Sequence, residues 1–194
     1  QFEAGVKARM PDGGADVTLA VYDIKKSNLL IQTSEETQAS ASQTSKGVEL
    51  TTSFKITPDW TVSANGAYTD SVYAAFSDPL SGATVSDVQP ANIPRWTGNL
   101  WTSYQHVLNL PLEVGGGVRY IGNRPANTDN SLILQKYALV NAYASYEVKP
   151  GVLVTGRVNN LTNKSYAQWA DIFYPTELML GQPRYWELGV YAKF

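Results

Sequence analysis

The chain has 194 residues, a formal net charge of −2, one His and no Cys. Its charged fraction of 16% is low beside the about 25% of soluble domains. The near-neutral charge excludes a basic nucleic-acid-binding surface, and the absence of Cys excludes a disulfide scaffold and thiolate metal sites. No apolar run approaches the about 18 residues that a membrane-spanning helix needs.

Apolar residues recur at every second position in successive segments, which is the period of a β-strand with one apolar face. The clearest case is 46–57, where Val48, Leu50 and Phe54 share one face and Glu49 lies on the other. The nine predicted strands are 1–10, 16–33, 46–57, 60–70, 97–106, 112–122, 137–148, 152–159 and 183–194.

The connections between these strands alternate in length. The short ones are 11–15, 58–59, 107–111 and 149–151, and the long ones are 34–45, 74–94, 123–136 and 167–182. Short periplasmic turns and long external loops are typical of outer-membrane barrels, so the last strand is expected to end at the periplasmic rim. Such barrels have an even number of strands, so we expect further strands before residue 1.

The two faces of the strands fit a membrane barrel. The sets of apolar residues at alternate positions contain no charged side chain, whereas charges occupy the other face, at Glu49, Lys55, Glu113, Arg119, Arg157, Glu187 and Lys193. Trp60 and Tyr68 lie near the two ends of one strand, where interfacial aromatic girdles belong. The pattern predicts an all-β, antiparallel, up-and-down transmembrane β-barrel, with Arg157 and Glu187 as a structural ion pair on adjacent strands.

Several stretches resemble, in this order, the C-terminal barrel of TonB-dependent outer-membrane receptors, most of all the ferric-siderophore branch. They are SKGVELTTSFKITPDWTVSANGAYTD, IPRWTGNLWTSYQ, GGGVRYIGNRPANTDNS, YALVNAYASYEV, VNNLTNKSYA and GQPRYWELGVYAKF. The resemblance implies that 1–194 is the C-terminal portion, the last nine strands of a 22-stranded barrel, with the plug, the energy-coupling box and the earlier strands absent.

The same resemblance implies a function. The whole protein would sit in the outer membrane of a Gram-negative bacterium, surrounded by lipid. There it would bind a ferric siderophore and import it with energy from the TonB complex, contacted through the absent N-terminal region. No resident cofactor is implied, because the iron–siderophore complex is the ligand.

The long connections carry the candidate ligand-binding residues, which are Tyr73, Phe76, Arg124, Trp169, Phe173 and Tyr174. Aromatic faces suit an aryl or hydroxamate iron chelate, and Arg124, like Arg95, can attract an anionic one. The alternative is that the aromatic side chains pack the loops together or join the girdle, and that the arginines are ordinary rim charges.

Catalytic and metal sites are not predicted. His106 is the only His, lies at a short-turn end, and has no second His or Cys to complete a metal site. The sequence GGGVRYIG does not open a helix, so we interpret its small residues as letting a strand lie close to the plug. The alternatives are a receptor for haem, cobalamin or a glycan, a barrel enzyme, or a soluble β-sandwich binding module.

Overall fold

The computed structural model describes residues 1–11, 13–32, 38–74, 76–77, 84–172 and 174–193. Nearly all of the regular structure is β, as the period-two alternation predicts. Within these ranges, no helix has the length and apolar character needed to cross a membrane.

Fifteen strands occur in the described residues, and nine of them are long. The strands are β1 (Phe2–Arg9), β2 (Ala15–Gln32), β3 (Gln38–Thr57), β4 (Trp60–Tyr73), β5 (Phe76–Ser77), β6 (Thr84–Val85), β7 (Trp96–Tyr104), β8 (Leu112–Ile121), β9 (Arg124–Pro125), β10 (Ile133–Leu134), β11 (Tyr137–Lys149), β12 (Val152–Asn159), β13 (Ala167–Ala170), β14 (Leu178–Leu180) and β15 (Tyr185–Ala192).

The long strands form one antiparallel sheet in the order β1-β2-β3-β4-β7-β8-β11-β12-β15. Each long strand therefore lies beside the long strands that precede and follow it in the chain, which confirms the predicted up-and-down order. In the described residues, β1 and β15 each have a single neighbour in this sheet. The short strands pair as three hairpins, β5 with β6, β9 with β10 and β13 with β14.

The register brings the apolar positions of neighbouring strands onto one side of the sheet. Val48 pairs with both Val21 and Tyr68, and Leu100 pairs with Val118. On β15, the last long strand, Leu188 faces this side and is 80% exposed. Because lipid covers such an apolar surface in a membrane barrel, we call this the lipid-facing side and the opposite one the lumenal side.

Aromatic side chains lie at two levels on the lipid-facing side. At the lower level Trp60 pairs with Tyr104 and donates from Nε1 to Thr102 Oγ1 at 2.8 Å. At the upper level Tyr68 pairs with Trp96, with ring centroids 4.7 Å apart. The nine residues from Trp60 to Tyr68 span about 20 Å of bilayer at a strand tilt of about 40°. The positions of Trp60 and Tyr68 are thus those of two interfacial girdles.

The predicted pair of Arg157 and Glu187 is confirmed. The two residues are directly opposite on β12 and β15, and Arg157 Nη1 lies 3.9 Å from Glu187 Oε2. Asn159 Nδ2 donates to the same Glu187 oxygen at 2.9 Å. These charges are held on the lumenal side, away from the hydrocarbon.

Two glycines of β8 lie beneath aromatic rings. A Cβ at Gly115 would overlap the Tyr143 ring, and a Cβ at Gly117 would overlap the Trp101 ring. The two rings are stacked, with centroids 5.6 Å apart and planes at 9°. The lumenal glycines therefore leave room for two aromatic rings against the sheet, and the predicted close approach of this strand to a plug stays a prediction.

Strands β3 and β4 extend further than predicted. The polar stretch 34–45 was expected to be a loop, but β3 begins at Gln38, and β4 runs to Tyr73 rather than ending near 70. Above the apolar band a strand meets water on both sides, so it needs no apolar alternation to remain paired. Periodicity therefore predicts the part of each strand within the bilayer, but not the part that projects beyond it.

The short connections lie together at the other end of the sheet. His106 has a left-handed backbone (φ 52°) and precedes a 3₁₀ turn, Val107–Asn109. Its Nδ1 lies 2.7 Å from Asp59 Oδ1, and Gln105 N donates to Asp59 O at 2.8 Å. His106 thus joins two neighbouring turns. Among the described residues, no group of three metal-ligating side chains occurs.

Candidate ligand-binding loop cluster

Three long connections meet at one end of the sheet. We define the loop cluster as the described parts of 86–95, 122–136 and 160–184. It contains the hairpins β9–β10 and β13–β14, which the sequence did not predict, because two- to four-residue strands have too few positions to show a period. A small apolar core lies beneath these segments, formed by Ala126, Leu134 and Ala170 with Ala167 against it.

Asn92 connects the first segment of the loop cluster to the other two. Its backbone N donates to Pro125 O at 2.8 Å. Its side chain donates from Nδ2 to Ala170 O at 2.9 Å and accepts from Ala170 N at Oδ1 at 3.0 Å. Asn130 makes the equivalent pair with Gln89, accepting from Gln89 N at 3.0 Å and donating to Gln89 O at 2.8 Å.

Arg124 lies beneath the surface of the loop cluster. It is 3% exposed, and its Nη2 donates to Ala167 O at 2.7 Å and to Gln168 O at 3.0 Å. The guanidinium also lies over the Tyr137 ring, 5.5 Å from its centroid. Burial lowers the pKa of Arg124 from its ordinary value, and the Tyr137 hydroxyl opposes that shift. Arg124 Nη1 is buried and has no hydrogen-bond partner among the residues that the structure describes.

An aromatic pair continues the packing around Arg124. The Tyr137 and Tyr166 rings have centroids 4.4 Å apart, and the Tyr166 ring covers Gly181, where a Cβ would overlap it. Burial raises the pKa of the Tyr166 hydroxyl. Position 181 must be glycine, because a Cβ there would overlap the Tyr166 ring.

The VNNLTNKSYA segment is organised by two asparagines with left-handed backbones, Asn160 (φ 49°) and Asn163 (φ 52°). Asn160 is buried, donates from Nδ2 to the carbonyls of Lys164 and Gln182, and accepts from Lys164 N. Asn163 Oδ1 accepts from Arg184 N at 2.9 Å. These bonds tie the chain after β12 to the start of β15.

The structure separates the predicted ligand-binding residues by exposure and position. Trp169 is 40% exposed and Tyr174 is 57% exposed, both in the β13–β14 hairpin, whereas Arg124 is buried behind the backbone that precedes Trp169. Tyr73 is half-buried at the end of β4 and exchanges backbone hydrogen bonds with Asp87 and Val88. Whether these residues bind a ligand stays a prediction.

Phe76, Phe173 and Arg95 complete the predicted set. The backbone of Phe76 lies in β5 opposite Val85, and Phe173 lies outside the described residues. Arg95, the second predicted rim arginine, has its Nη2 3.4 Å from Asp70 Oδ1, and both side chains are about half exposed.

The asparagines that organise the loop cluster were not predicted from the sequence. A signal was available, because Asn tolerates a left-handed backbone better than most residues, and Asn92 lies in the segment PANIP between two prolines. Their partners were not predictable, because Ala170 lies 78 residues further along the chain.

Comparisons with known proteins agree on one family. Residues 1–161 match the family model described as TonB dependent receptor-like, beta-barrel. The chain is 28% identical over 172 residues to the probable TonB-dependent siderophore receptor PiuA of Acinetobacter baumannii, covering 85% of this chain and 23% of that protein. It is 31% identical over 176 residues to the ferrioxamine B receptor of Salmonella typhimurium, covering 86% of this chain and 24% of the receptor.

The fold comparison gives the same answer. The crystal structure of PiuA from Acinetobacter baumannii superposes with a TM-score of 0.81 at 28% identity, covering 100% of this chain and 28% of that one. The chain thus spans about a quarter of the length of these relatives. The relatives are named as receptors, and none of these names describes an enzyme.

Proposed function

Because the chain belongs to the TonB-dependent receptor β-barrel family of the Gram-negative outer membrane, we propose that it forms part of a receptor that imports a ferric siderophore. The observation that carries this proposal is the match, over most of the chain, to proteins named as a TonB-dependent siderophore receptor, a ferrioxamine B receptor and a ferrichrome outer membrane transporter. The predicted 22-strand count, the plug and the energy-coupling box are parts of the same proposal.

The loop cluster is the part of this chain that meets the ligand. Trp169 and Tyr174 expose their side chains there, and Tyr73 borders the connection that carries Phe76. Aromatic faces bind flat organic chelates through apolar contact and offset stacking. Arg124 acts from beneath, because its guanidinium is bonded to the backbone just before Trp169.

Import requires no covalent chemistry by these residues. The ligand binds at the loop cluster, and energy from the TonB complex, acting on regions outside this chain, drives its passage through the barrel. The iron complex is cargo, and no resident metal or cofactor takes part. On this proposal the lumenal side of the sheet, with the Trp101 and Tyr143 rings, lines the interior that the plug occupies.

The experiment that tests the function is uptake of radioactive iron by cells that carry or lack the full-length gene. Iron-starved cells are given ferrioxamine B, ferrichrome or another purified ferric siderophore, with and without a functional TonB protein. The proposal expects uptake of at least one chelate that disappears when either gene is lost. Unchanged iron uptake, together with loss of haem, cobalamin or glycan uptake, would assign the receptor to that other solute.

A further inference from the structure

The segments of the loop cluster form a closed triangle of hydrogen bonds. The 86–95 segment is bonded to the β9–β10 connection through Asn92 with Pro125 and through Gln89 with Asn130. The same segment is bonded to β13 through Asn92 with Ala170. The third side is closed by Arg124, which bonds to the carbonyls at the start of β13.

The Asn92 side chain gives the backbone of Ala170 the hydrogen-bond partners that a neighbouring strand would otherwise supply. A primary amide offers both a carbonyl oxygen and an N–H donor, so it can satisfy the N–H and C=O of one residue as a paired strand does. Ala170 is fully buried, so both of its backbone groups need such partners. The left-handed backbone of Asn92 (φ 62°) is a conformation that asparagine adopts more readily than most residues.

The bond to Ala170 also determines where Trp169 points. Successive side chains of a strand project to opposite sides, so the residue before a buried alanine is directed outward. Ala170 is buried against Leu134 and Ala126, and Trp169 is exposed. Moving β13 away from the other two segments would break four hydrogen bonds, two to Asn92 and two to Arg124.

We propose that Asn92 is a positioning residue for ligand binding, which holds Trp169 in its binding orientation by joining the three loop segments into one unit. The three loops therefore move together rather than as independent lids. The inference rests on the proposed function for its effect on binding, while the linkage between the loops can be measured without any ligand.

The test uses the full-length receptor with Asn92→Gly, which keeps the left-handed backbone and removes the amide. Spin labels are attached to cysteines introduced at the exposed positions Ser86 and Thr176, on the two segments that Asn92 joins, and the distance between them is measured in the membrane without ligand. The parent is expected to give one narrow distance distribution and the variant a broad one. Asn28→Gly, which changes an asparagine with φ 56° on β2, is the matched control and is expected to match the parent.

The second readout is the dissociation rate of a bound ferric siderophore. We expect Asn92→Gly to release it about tenfold faster, and Asn92→Asp, which keeps only the acceptor for Ala170 N, to lie between the variant and the parent. Migration of unboiled receptor in gels reports that the barrel itself is intact.

Unaltered distances in Asn92→Gly would overturn the linkage, and broadened distances with an unaltered dissociation rate would overturn the positioning role. If the parent binds no siderophore at all, the proposed function fails, and the distance measurement alone decides whether the three loops form one unit.

Discussion

At the scale of single residues, some side chains are placed to contact a ligand, and others pack against the lumenal side of the sheet. Trp169 belongs to the first kind, since it is exposed on a hairpin whose backbone is bonded on two sides. Trp101 belongs to the second, since its ring lies flat on Gly117. Substitutions of each kind have different consequences and need different measurements.

Replacing Trp169 by Ala is expected to weaken binding of the ferric siderophore about tenfold, or about 1.4 kcal/mol, because a central aromatic contact is lost. Equilibrium binding to whole cells that display the full-length receptor measures the effect. Trp186→Ala on the lipid-facing side is the control, since that indole is exposed away from the loop cluster. Equal affinity of the Trp169 variant and the parent would exclude Trp169 from the binding site.

Replacing Gly117 by Ala is expected to destabilise the barrel by about 1–3 kcal/mol, because the new methyl group overlaps both the Trp101 ring and the Leu100 carbonyl. The temperature at which the compact, fast-migrating form is lost in a gel reports this change. Gly156→Ala is the matched control, because a Cβ there has no heavy atom within 4 Å. If both variants melt together, the close ring contact at Gly117 is not required.

At the scale of elements, the strands have an apolar and a polar side in strict alternation, and the sequence shows this directly. The order of the nine strands, their spacing and the Arg157–Glu187 pair could all be predicted, because each depends on local period and on neighbours in the chain. The strand ends that project beyond the bilayer could not be predicted, because water covers both sides of a strand there and no apolar alternation is needed. The contacts of Asn92 could not be predicted because they join distant segments.

A charged side chain is expected to be tolerated on the lumenal side of β3 and to destabilise the barrel on the lipid-facing side. Leu50→Arg places a guanidinium on the lipid-facing side, opposite Gly66 and between mid-bilayer and the upper girdle, and should cost about 1–3 kcal/mol, lowering the yield of folded receptor in the outer membrane. Thr51→Arg, one residue further on, faces the lumen and should preserve most of that yield. Similar yields from both variants would mean that the two sides have been assigned the wrong way round.

At the scale of the whole molecule, the segregation of short and long connections predicts how the chain is oriented in the membrane. We expect the loop cluster to lie at the cell exterior, and the turns near Asp59, His106 and Lys149 to face the periplasm. The absence of cysteine from all 194 residues makes this orientation simple to test.

We expect Gln135→Cys to react with a membrane-impermeant maleimide on intact cells, whereas Lys149→Cys should react only after the outer membrane is permeabilised. Both positions are exposed in the structure, so a difference in labelling reports the side of the membrane rather than burial. The parent receptor, with any cysteine outside this chain replaced, is the unlabelled control. Labelling of Lys149→Cys on intact cells would reverse the proposed orientation.

In the described residues, the outer edges of β1 and β15 carry backbone donors and acceptors that no other strand of the sheet engages. In hydrocarbon, each such row must be completed by another strand. A hydrogen-bonded seam does not require that its two strands belong to one polypeptide. The turn between β11 and β12, two neighbouring long strands of this sheet, is therefore a natural position at which to divide the receptor gene, so that two separately translated pieces pair in the bilayer and reconstitute a working receptor.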